Sequence, residues 1–441
     1  MEALATIAAD PHAPSLKMFQ SDLGEHMLVV PHSRIFDLPD NFSADMVSLA
    51  SALADPTPHE VPLDRVVAPA PQSISLNVSS SCNLACSYCY AARGSFLGAQ
   101  PNPMAWDTAQ NAIDRLLSVA DPHVPITVGF LGGEPFANRR LIHRAVEYAS
   151  TEADRLGLDV RFSVTTNGTL LQEEDIELLR AHRFAVTVSL DGGQQVQNLQ
   201  RPVSGGKSSS FDLLCSATHS LLENPGLAQV NARATVKRGD FNLRDRFQAI
   251  LSLGFTEAGF SPLRGSRTEG DALQDEDWPE YLRAMTDLAR LELERAFCGE
   301  HIRFTNLAVA LKQLYRGASS PYPCGAGGGY FSVGANGDWY ACHRAIGSGE
   351  YRMGNNEGLS AQRRLEFLTT RHVHSQAACR QCWARYLCSG GCHQEASSRC
   401  ESGCGFIRGW LEFCLAAYCT LTERQPNFFH PLVQSQEAQY G

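Results

Sequence analysis

Three cysteines, Cys82, Cys86 and Cys89, stand in the order C-x3-C-x2-C within CNLACSYC (82–89). Three thiolates on one short loop suit three irons of a [4Fe–4S] cluster and leave the fourth iron without a protein ligand. An open iron binds a cofactor or substrate directly, whereas a fully ligated cluster mainly moves electrons. The competing chemistry is a zinc knuckle completed by an outside histidine. A second group lies near the other end of the chain. Cys324 is followed by twelve residues, Gly337, four residues and Cys342. Cys379, Cys382, Cys388 and Cys392 then fall in the order C-x2-C-x5-C-x3-C, with Cys404 beyond them. Taken alone, CRQC (379–382) reads as half a zinc site.

The composition frames these groups. A length of 441 residues allows two or three domains at roughly 150 residues each. With 44% hydrophobic and 19% charged residues, the chain can bury a sizeable core without disulfides. A formal charge of -10 argues against a nucleic-acid backbone as main partner. No apolar run approaches the ~18 residues of a membrane helix, and the first residues lack a secretory signal's basic and apolar regions. A cytoplasmic location is therefore expected, with no membrane partner. There, 15 cysteines, an odd number, point to metal ligation rather than pairing.

The elements that must position the thiols follow from periodicity. Residues 1–72 read as an appendage: GEHMLVVPHSRIFDL (24–38) as two strands around a turn at Pro31, His32 and Ser33, then a helix over 42–55 and a Pro-rich linker. Such a hairpin edge is either a small ornament or a place for an extended peptide to add as a strand. From residue 73, apolar or β-branched runs at 73–78, 126–131, 160–165, 184–190, 228–236 and 256–263 alternate with amphipathic stretches at 106–120, 140–156, 172–182 and 243–254. Successive β–α units predict a parallel sheet flanked by helices. Periodicity does not separate a partial TIM-like barrel from a doubly wound sheet, but both place chemistry at the carboxyl ends of the strands. A long helix over 275–297 closes this domain (73–275), and a helical segment over 276–318 bridges to a Gly- and Cys-rich region (319–441). That region needs metal staples and has one long helical pattern, at 407–421.

CNLACSYCY after the first strand, GGEP (132–135) after the second, TTNGTL (165–170) after the third and SLDGGQQVQNLQR (189–201) after the fourth together resemble the radical S-adenosylmethionine (SAM) enzymes. The resemblance covers roughly 73–265 and implies an α/β fold, a partial (β/α)6 TIM-like barrel. It implies that Cys82, Cys86 and Cys89 hold a cluster whose open iron chelates the methionine end of SAM. Gly132 and Gly133 would let backbone approach the cofactor amine, with Glu134 balancing its charge. Tyr88 falls where the family contacts adenine. Ser189 and Arg201, twelve apart, match cofactor-binding positions, a guanidinium suiting a carboxylate, although a salt bridge is the plainer use of Arg201. Thr166 and Asn167 would line the same cavity. Leu131 stands where some relatives carry a polar residue.

The C-terminal cysteines resemble the SPASM extension of radical peptide-modifying enzymes, which binds two auxiliary [4Fe–4S] clusters, making three in all. By that analogy Cys324, Cys342 and Cys392 hold the first, and Cys379, Cys382, Cys388 and Cys404 the second, with Cys414 an alternative last ligand. An extra cysteine that some relatives carry is missing from RGASSPYP (316–323), which leaves the first auxiliary cluster's fourth ligand open. Cys215, Cys298, Cys400 and Cys419 read as buried or free thiols. Sulfatase-maturing relatives place an Asp after the second cysteine of this set, where this chain has His343. CHRAIGSGEYRMGN (342–355), CWARYLCSGGCHQE (382–395) and IRGW (407–410) are closer to cross-link-forming peptide maturases, among them the maturation proteins of quinohemoprotein amine dehydrogenase. The implied reaction takes hydrogen from an unactivated carbon of a ribosomally made precursor peptide and closes a thioether or carbon–carbon (cyclophane) link, fed by a donor such as flavodoxin or ferredoxin. Formylglycine formation, another radical modification, and a non-enzymatic metal scaffold are the alternatives. His343, Arg344 and His393 would serve the site or bond to cluster sulfurs and carbonyls.

Overall fold

The computed structural model describes residues 16–39, 63–94, 102–265, 270–317 and 319–429. They form two compact units, one from residues 67–274 and 325–368, the other from residues up to 66, 275–324 and 369 onward. The expected helix over 42–55 lies outside the described residues.

At the N-terminus the structure has three antiparallel strands rather than two: β1 (Leu16–Ser21), β2 (Gly24–Val29) and β3 (Arg34–Asp37), with β2 central. The turn between β2 and β3 falls where expected, on Val30–His32, and Ser33 closes it at φ 49°. β1 escaped the sequence reading because LKMFQS lacks clean alternation. His26 is buried in β2, between the Ser21 hydroxyl at 2.6 Å and the Asp37 carboxylate at 2.8 Å.

The larger unit is a run of parallel β–α units. Its strands are β4 (Ser73–Ser79), β5 (Ile126–Gly132), β6 (Val160–Thr166), β7 (Phe184–Ser189), β8 (Gln229–Val236) and β9 (Ala258–Pro262), paired in chain order. Helices α1 (Trp106–Val119), α2 (Arg139–Leu156) and α3 (Glu173–Ala181) follow β4, β5 and β6. Two helices that periodicity did not reveal, α4 (Gln194–Gln200) and α5 (Ser210–Glu223), follow β7, and α6 (Leu243–Leu251) follows β8. This is the (β/α)6 arrangement of a partial TIM-like barrel. One face of the strands carries Ile74, Leu76, Val78, Val128, Phe130, Phe162, Val164, Phe184 and Val186, all buried, as are Ala109, Ile113, Leu116, Ile142 and Val146 of α1 and α2. The other face presents Ser75, Asn77 and Ser79 from β4 alone, because side chains alternate along a strand.

The compact units divide the chain differently from the boundary placed near residue 319. β10 (Tyr330–Val333) pairs in parallel with β4, and β11 (Trp339–Tyr340), β12 (Arg352–Asn355) and β13 (Gly358–Leu359) continue antiparallel from it, giving a ten-stranded sheet. The exposed flank of β4 needs a hydrogen-bonding partner, and β10 supplies it. Arg364 reinforces the junction, donating to the carbonyls of Pro69 and of Gly328, the latter at 2.9 Å.

The other unit is dominated by α7 (Trp278–Phe297), α8 (Thr305–Tyr315) and α9 (Glu401–Arg424). Phe406 of α9 stacks obliquely on Tyr281 of α7 at 4.9 Å, and Trp410 meets Phe304 edge-on at 6.0 Å. Glu412 pairs with Lys17 of β1 at 3.1 Å.

Phe130 is fully buried against Phe184, ring centres 6.2 Å apart. Truncating Phe130→Ala is expected to cost about 3–5 kcal/mol, the range for a buried aromatic, read as a lowered denaturant midpoint of the sheet's circular dichroism signal.

Candidate active site at the carboxyl ends of the strands

The loop that follows β4 carries Cys82, Cys86 and Cys89 and has almost no regular structure, so its neighbours must hold it. Residues 83–85 run antiparallel to 202–204: Leu84 bridges Val203, Ala85 donates its N–H to Pro202 at 2.7 Å, and Ser204 donates to Asn83 at 2.8 Å. Leu84 is buried beneath. Farther on, turn bonds from Cys89 to the Cys86 carbonyl (3.3 Å) and from Ala92 to Cys89 (3.2 Å) fold the loop back. Ser87 donates to Asp271, which also pairs with Lys237 at the end of β8.

Burial pushes the Cys82 thiol up to about 11 and the Cys86 thiol up to about 12, with the nearby charge of Cys89 adding to both. In the free chain Cys82 and Cys86 are protonated at neutral pH, and loading metal must release those protons. Two donors already face Cys82 Sγ: the Leu84 N–H at 3.4 Å and the Asn167 side-chain amide at 3.7 Å. Among the described residues, no three His, Cys, Asp or Glu side chains converge on a point as ligands of a single ion do. A set of cysteines near enough to influence one another's charge suits the thiolate ligands of an iron–sulfur cluster.

The GGEP and TTNG segments brace this loop from β5 and β6. Gly132 is required by close approach: a Cβ there would lie 2.4 Å from the Ser79 carbonyl. Gly133 and Glu134 donate their N–H groups to Ser79 and Ser81 at 2.7 and 2.8 Å, stitching the end of β5 to the entry of the loop. Glu134 is fully buried and accepts from the Thr166 hydroxyl (2.6 Å), the Asn167 N–H (2.8 Å) and the Phe136 N–H (3.2 Å). Burial raises its carboxyl to about 7 against these stabilising bonds. Glu134 therefore ties two strand ends together within the chain.

Tyr88 and Arg201 meet on Asp191 of the SLDGG segment, a residue whose type and spacing did not mark it as part of the site. Asp191, fully buried, takes Arg201 Nε at 2.9 Å and Nη2 at 3.1 Å, the Thr235 N–H at 2.8 Å and the Tyr88 hydroxyl. Burial drives the Tyr88 phenol well above its ordinary value, so it stays neutral and donates. Arg201 is thus a buried ion-pair partner, with Nη1 the guanidinium nitrogen not given to Asp191. Arg246 fixes the Asp191 backbone through its carbonyl at 2.5 Å. Ser189 ends β7 opposite Arg233 of β8, and Leu131 lies opposite Asn77.

Residues 76–213 match the Radical SAM superfamily model. The chain carries a radical SAM domain. The protein is 24% identical over 356 residues to the cysteine-type anaerobic sulfatase-maturating enzyme of Clostridium perfringens, covering 74% of this chain and 89% of that one. It is 24% identical over 374 residues to the radical SAM cyclopropyl synthase TigE of Paramaledivibacter caminithermalis, covering 81% and 75%. Its fold is similar to the solved structure of native anSMEcpe with bound AdoMet, at a TM-score of 0.67 and 20% identity over 80% of this chain and 100% of that one. It is an enzyme, and membership of residues 76–213 in the superfamily model implies SAM and a [4Fe–4S] cluster. Among the described residues no helix is long and apolar enough to cross a membrane.

The Cys-rich C-terminal part of the chain resembles the SPASM domain. Within one unit, burial raises the thiols of Cys379, Cys388 (to about 11) and Cys404, and the nearby charge of Cys382 adds to each. Cys414 is fully buried in α9, and burial is the sole cause that raises its thiol. Arg399, which no spacing rule flags, donates to Cys379 Sγ at 2.8 Å and to Gln376 at 2.9 Å. Of the other expected ligands, Cys342 belongs to the sheet unit and Cys324 and Cys392 to the helical one. His343 contacts the Tyr330 hydroxyl at 3.1 Å, and burial lowers it to about 4, with Arg344 adding to the effect. Tyr330 in turn reaches Ser75 Oγ at 2.7 Å on the polar face of the sheet. Burial also lowers His393 to about 4; its ring lies beside Tyr322 in the helical unit.

Two outcomes follow. Asp191→Asn leaves the Arg201 charge buried without its partner and is expected to cost about 3–5 kcal/mol, measured as a fall in melting temperature. For Glu134, the folded chain keeps a proton between the unfolded value of 4.5 and about 7 that the unfolded chain has released. Stability of the metal-free chain should therefore fall as pH rises through that window, by roughly 3 kcal/mol, and level off above it. Melting temperatures from pH 4 to 8 check this: Glu134→Gln should flatten that slope, and an unchanged slope would assign it to another group.

Proposed function

We propose that this protein is a radical SAM peptide maturase that takes hydrogen from a ribosomally made peptide and closes an intramolecular thioether or carbon–carbon link. The observation that carries the reading is the placement of Cys82, Cys86 and Cys89 at the carboxyl end of a sheet whose inner face is polar. Ser75, Asn77, Ser79, Thr187, Ser189 and Asn231 suit the backbone and side chains of an extended peptide. When bound, the cluster and SAM supply a carbon-centred radical strong enough to attack unactivated carbon. The chain's own work is to hold the loop, orient the peptide and exclude water.

The related enzymes named above are a sulfatase maturase and a cyclopropyl synthase, and anSMEcpe has also been solved with AdoMet and the Cp18Cys peptide. The peptide-bound structure supports a peptide as substrate. His343 in place of a carboxylate after Cys342, neutral at pH 7, favours link formation over aldehyde formation. We further assign Cys82, Cys86 and Cys89 to the SAM-binding cluster and Cys379, Cys382, Cys388 and Cys404 to an auxiliary one. Cys324, Cys342 and Cys392 go to a second auxiliary cluster, and a flavodoxin or ferredoxin would deliver the electron.

Anaerobic reconstitution should give about twelve irons per chain, four for each of three clusters, and dithionite-dependent 5′-deoxyadenosine that Cys82→Ala abolishes. A peptide encoded beside this chain, treated with the enzyme, should lose two hydrogens and stop fragmenting between two residues in the mass spectrometer. A product that instead reacts with an aldehyde-trapping hydrazine would overturn the cross-linking reading in favour of formylglycine formation.

A further inference from the structure

Asn167 carries a role beyond lining a cavity. Its side-chain oxygen accepts from the Thr169 N–H at 2.9 Å and from the Thr169 hydroxyl at 2.6 Å. A backbone N–H can only donate, so this oxygen cannot be exchanged with the amide nitrogen, and the orientation of the side chain is fixed. The nitrogen is thereby aimed the other way, at Asn83 Oδ1 (3.0 Å) and at Cys82 Sγ (3.7 Å). Asn83 closes the circuit, its own amide donating to the Thr169 hydroxyl at 2.8 Å. Asn83, Thr169 and Asn167 thus form a closed ring in which the hydroxyl and both side-chain amides have their roles assigned. The one N–H of Asn167 left over points at a cysteine sulfur.

We propose that this ring is a clasp that positions Cys82 and sets the reduction potential of the cluster it holds, with Asn167 as the positioning residue. A hydrogen bond to a thiolate stabilises the more negative, reduced cluster and so raises its potential. Groups just outside the ligands orient them and tune the metal. The ring also joins the turn after β6 to the residue following Cys82, so a ligand on an irregular loop inherits the rigidity of a strand end. The proposal rests on the reading that Cys82, Cys86 and Cys89 hold the SAM-binding cluster.

The test is a potentiometric titration of the reconstituted, full-length enzyme followed by electron paramagnetic resonance. The signal that changes on adding SAM isolates the open-iron cluster from any other. Asn167→Ala should shift its midpoint to more negative potential, and Asn167→Asp, which keeps the acceptor for Thr169 but turns an oxygen toward the sulfur, should shift it further. Thr169→Val should move it less, in the same direction, while Thr169→Ser, which keeps the hydroxyl, leaves it in place. Iron should also leave the SAM-responsive cluster several-fold faster under chelator in Asn167→Ala. Midpoints for both Asn167 variants equal to the unsubstituted enzyme's would overturn the clasp. If Asn167→Ala does not fold, the Thr169→Val and Thr169→Ser pair decides, since a purely structural hydroxyl would change melting temperature without moving the midpoint. If no signal of the unsubstituted enzyme changes on adding SAM, the cluster assignment itself is rejected instead.

Discussion

A buried carboxylate must find a donor for each of its lone pairs, and at Asp191 that requirement organises the site. Its two oxygens gather a phenol from the cysteine loop, a guanidinium from the end of α4 and a backbone N–H from β8. Removing a carboxylate and a guanidinium from water is costly, and the cost is offset only when geometry and hydrogen bonds are complete. Completeness here means that the loop, the helix end and the strand end cannot move independently. Glu134 repeats the device one strand over, spanning β5 and β6. The thiols of an irregular loop are thus placed by two buried acids that belong to the frame.

This explains why the motif glycines matter through space as well as flexibility. At Gly132 the obstruction to a side chain is backbone, the Ser79 carbonyl, which cannot swing aside as a side chain would. The strand end and the loop entry are packed backbone to backbone, and the N–H groups of residues 133 and 134 convert that closeness into hydrogen bonds.

Much of this was legible in the sequence, for physical reasons that differ by element. The six parallel strands were readable because β-branched and aromatic residues fill the helix-facing positions, and the observed strands match those runs to within two residues at either end. Helix α2 shows a clean amphipathic stripe and closes on Gly157 at φ 69°. The strands β10 to β13 were hidden because each has two to four residues, too few for a period to register. That β10 docks on β4 depends on a pairing across some 250 residues, which no local pattern encodes. The cysteine spacings pointed to ligands, but the groups around the sulfurs did not announce themselves. Asp191 lies inside the SLDGG segment with no spacing that marks a carboxylate there as structural, and Arg399 reaches Cys379 from twenty residues away.

The polar inner face of the sheet is the feature that ties fold to chemistry. Parallel strands in α/β proteins are commonly apolar on both faces because helices cover both. Here β4 is buried on both sides yet alternates Ile74, Leu76 and Val78 with Ser75, Asn77 and Ser79. Some of these groups satisfy one another: Ser75 bonds to Tyr330 and Ser332, and Thr187 to Asn231 at 3.3 Å. Asn77 Oδ1, by contrast, is buried with no hydrogen-bond partner among the described residues, beside Gly132 and the entry of the cysteine loop. A core selected for stability alone would not keep a buried acceptor in that state, since leaving it unmade costs about 1–3 kcal/mol. The stability so forgone lies beside the cysteine loop, where a donor arriving with a bound molecule would recover it.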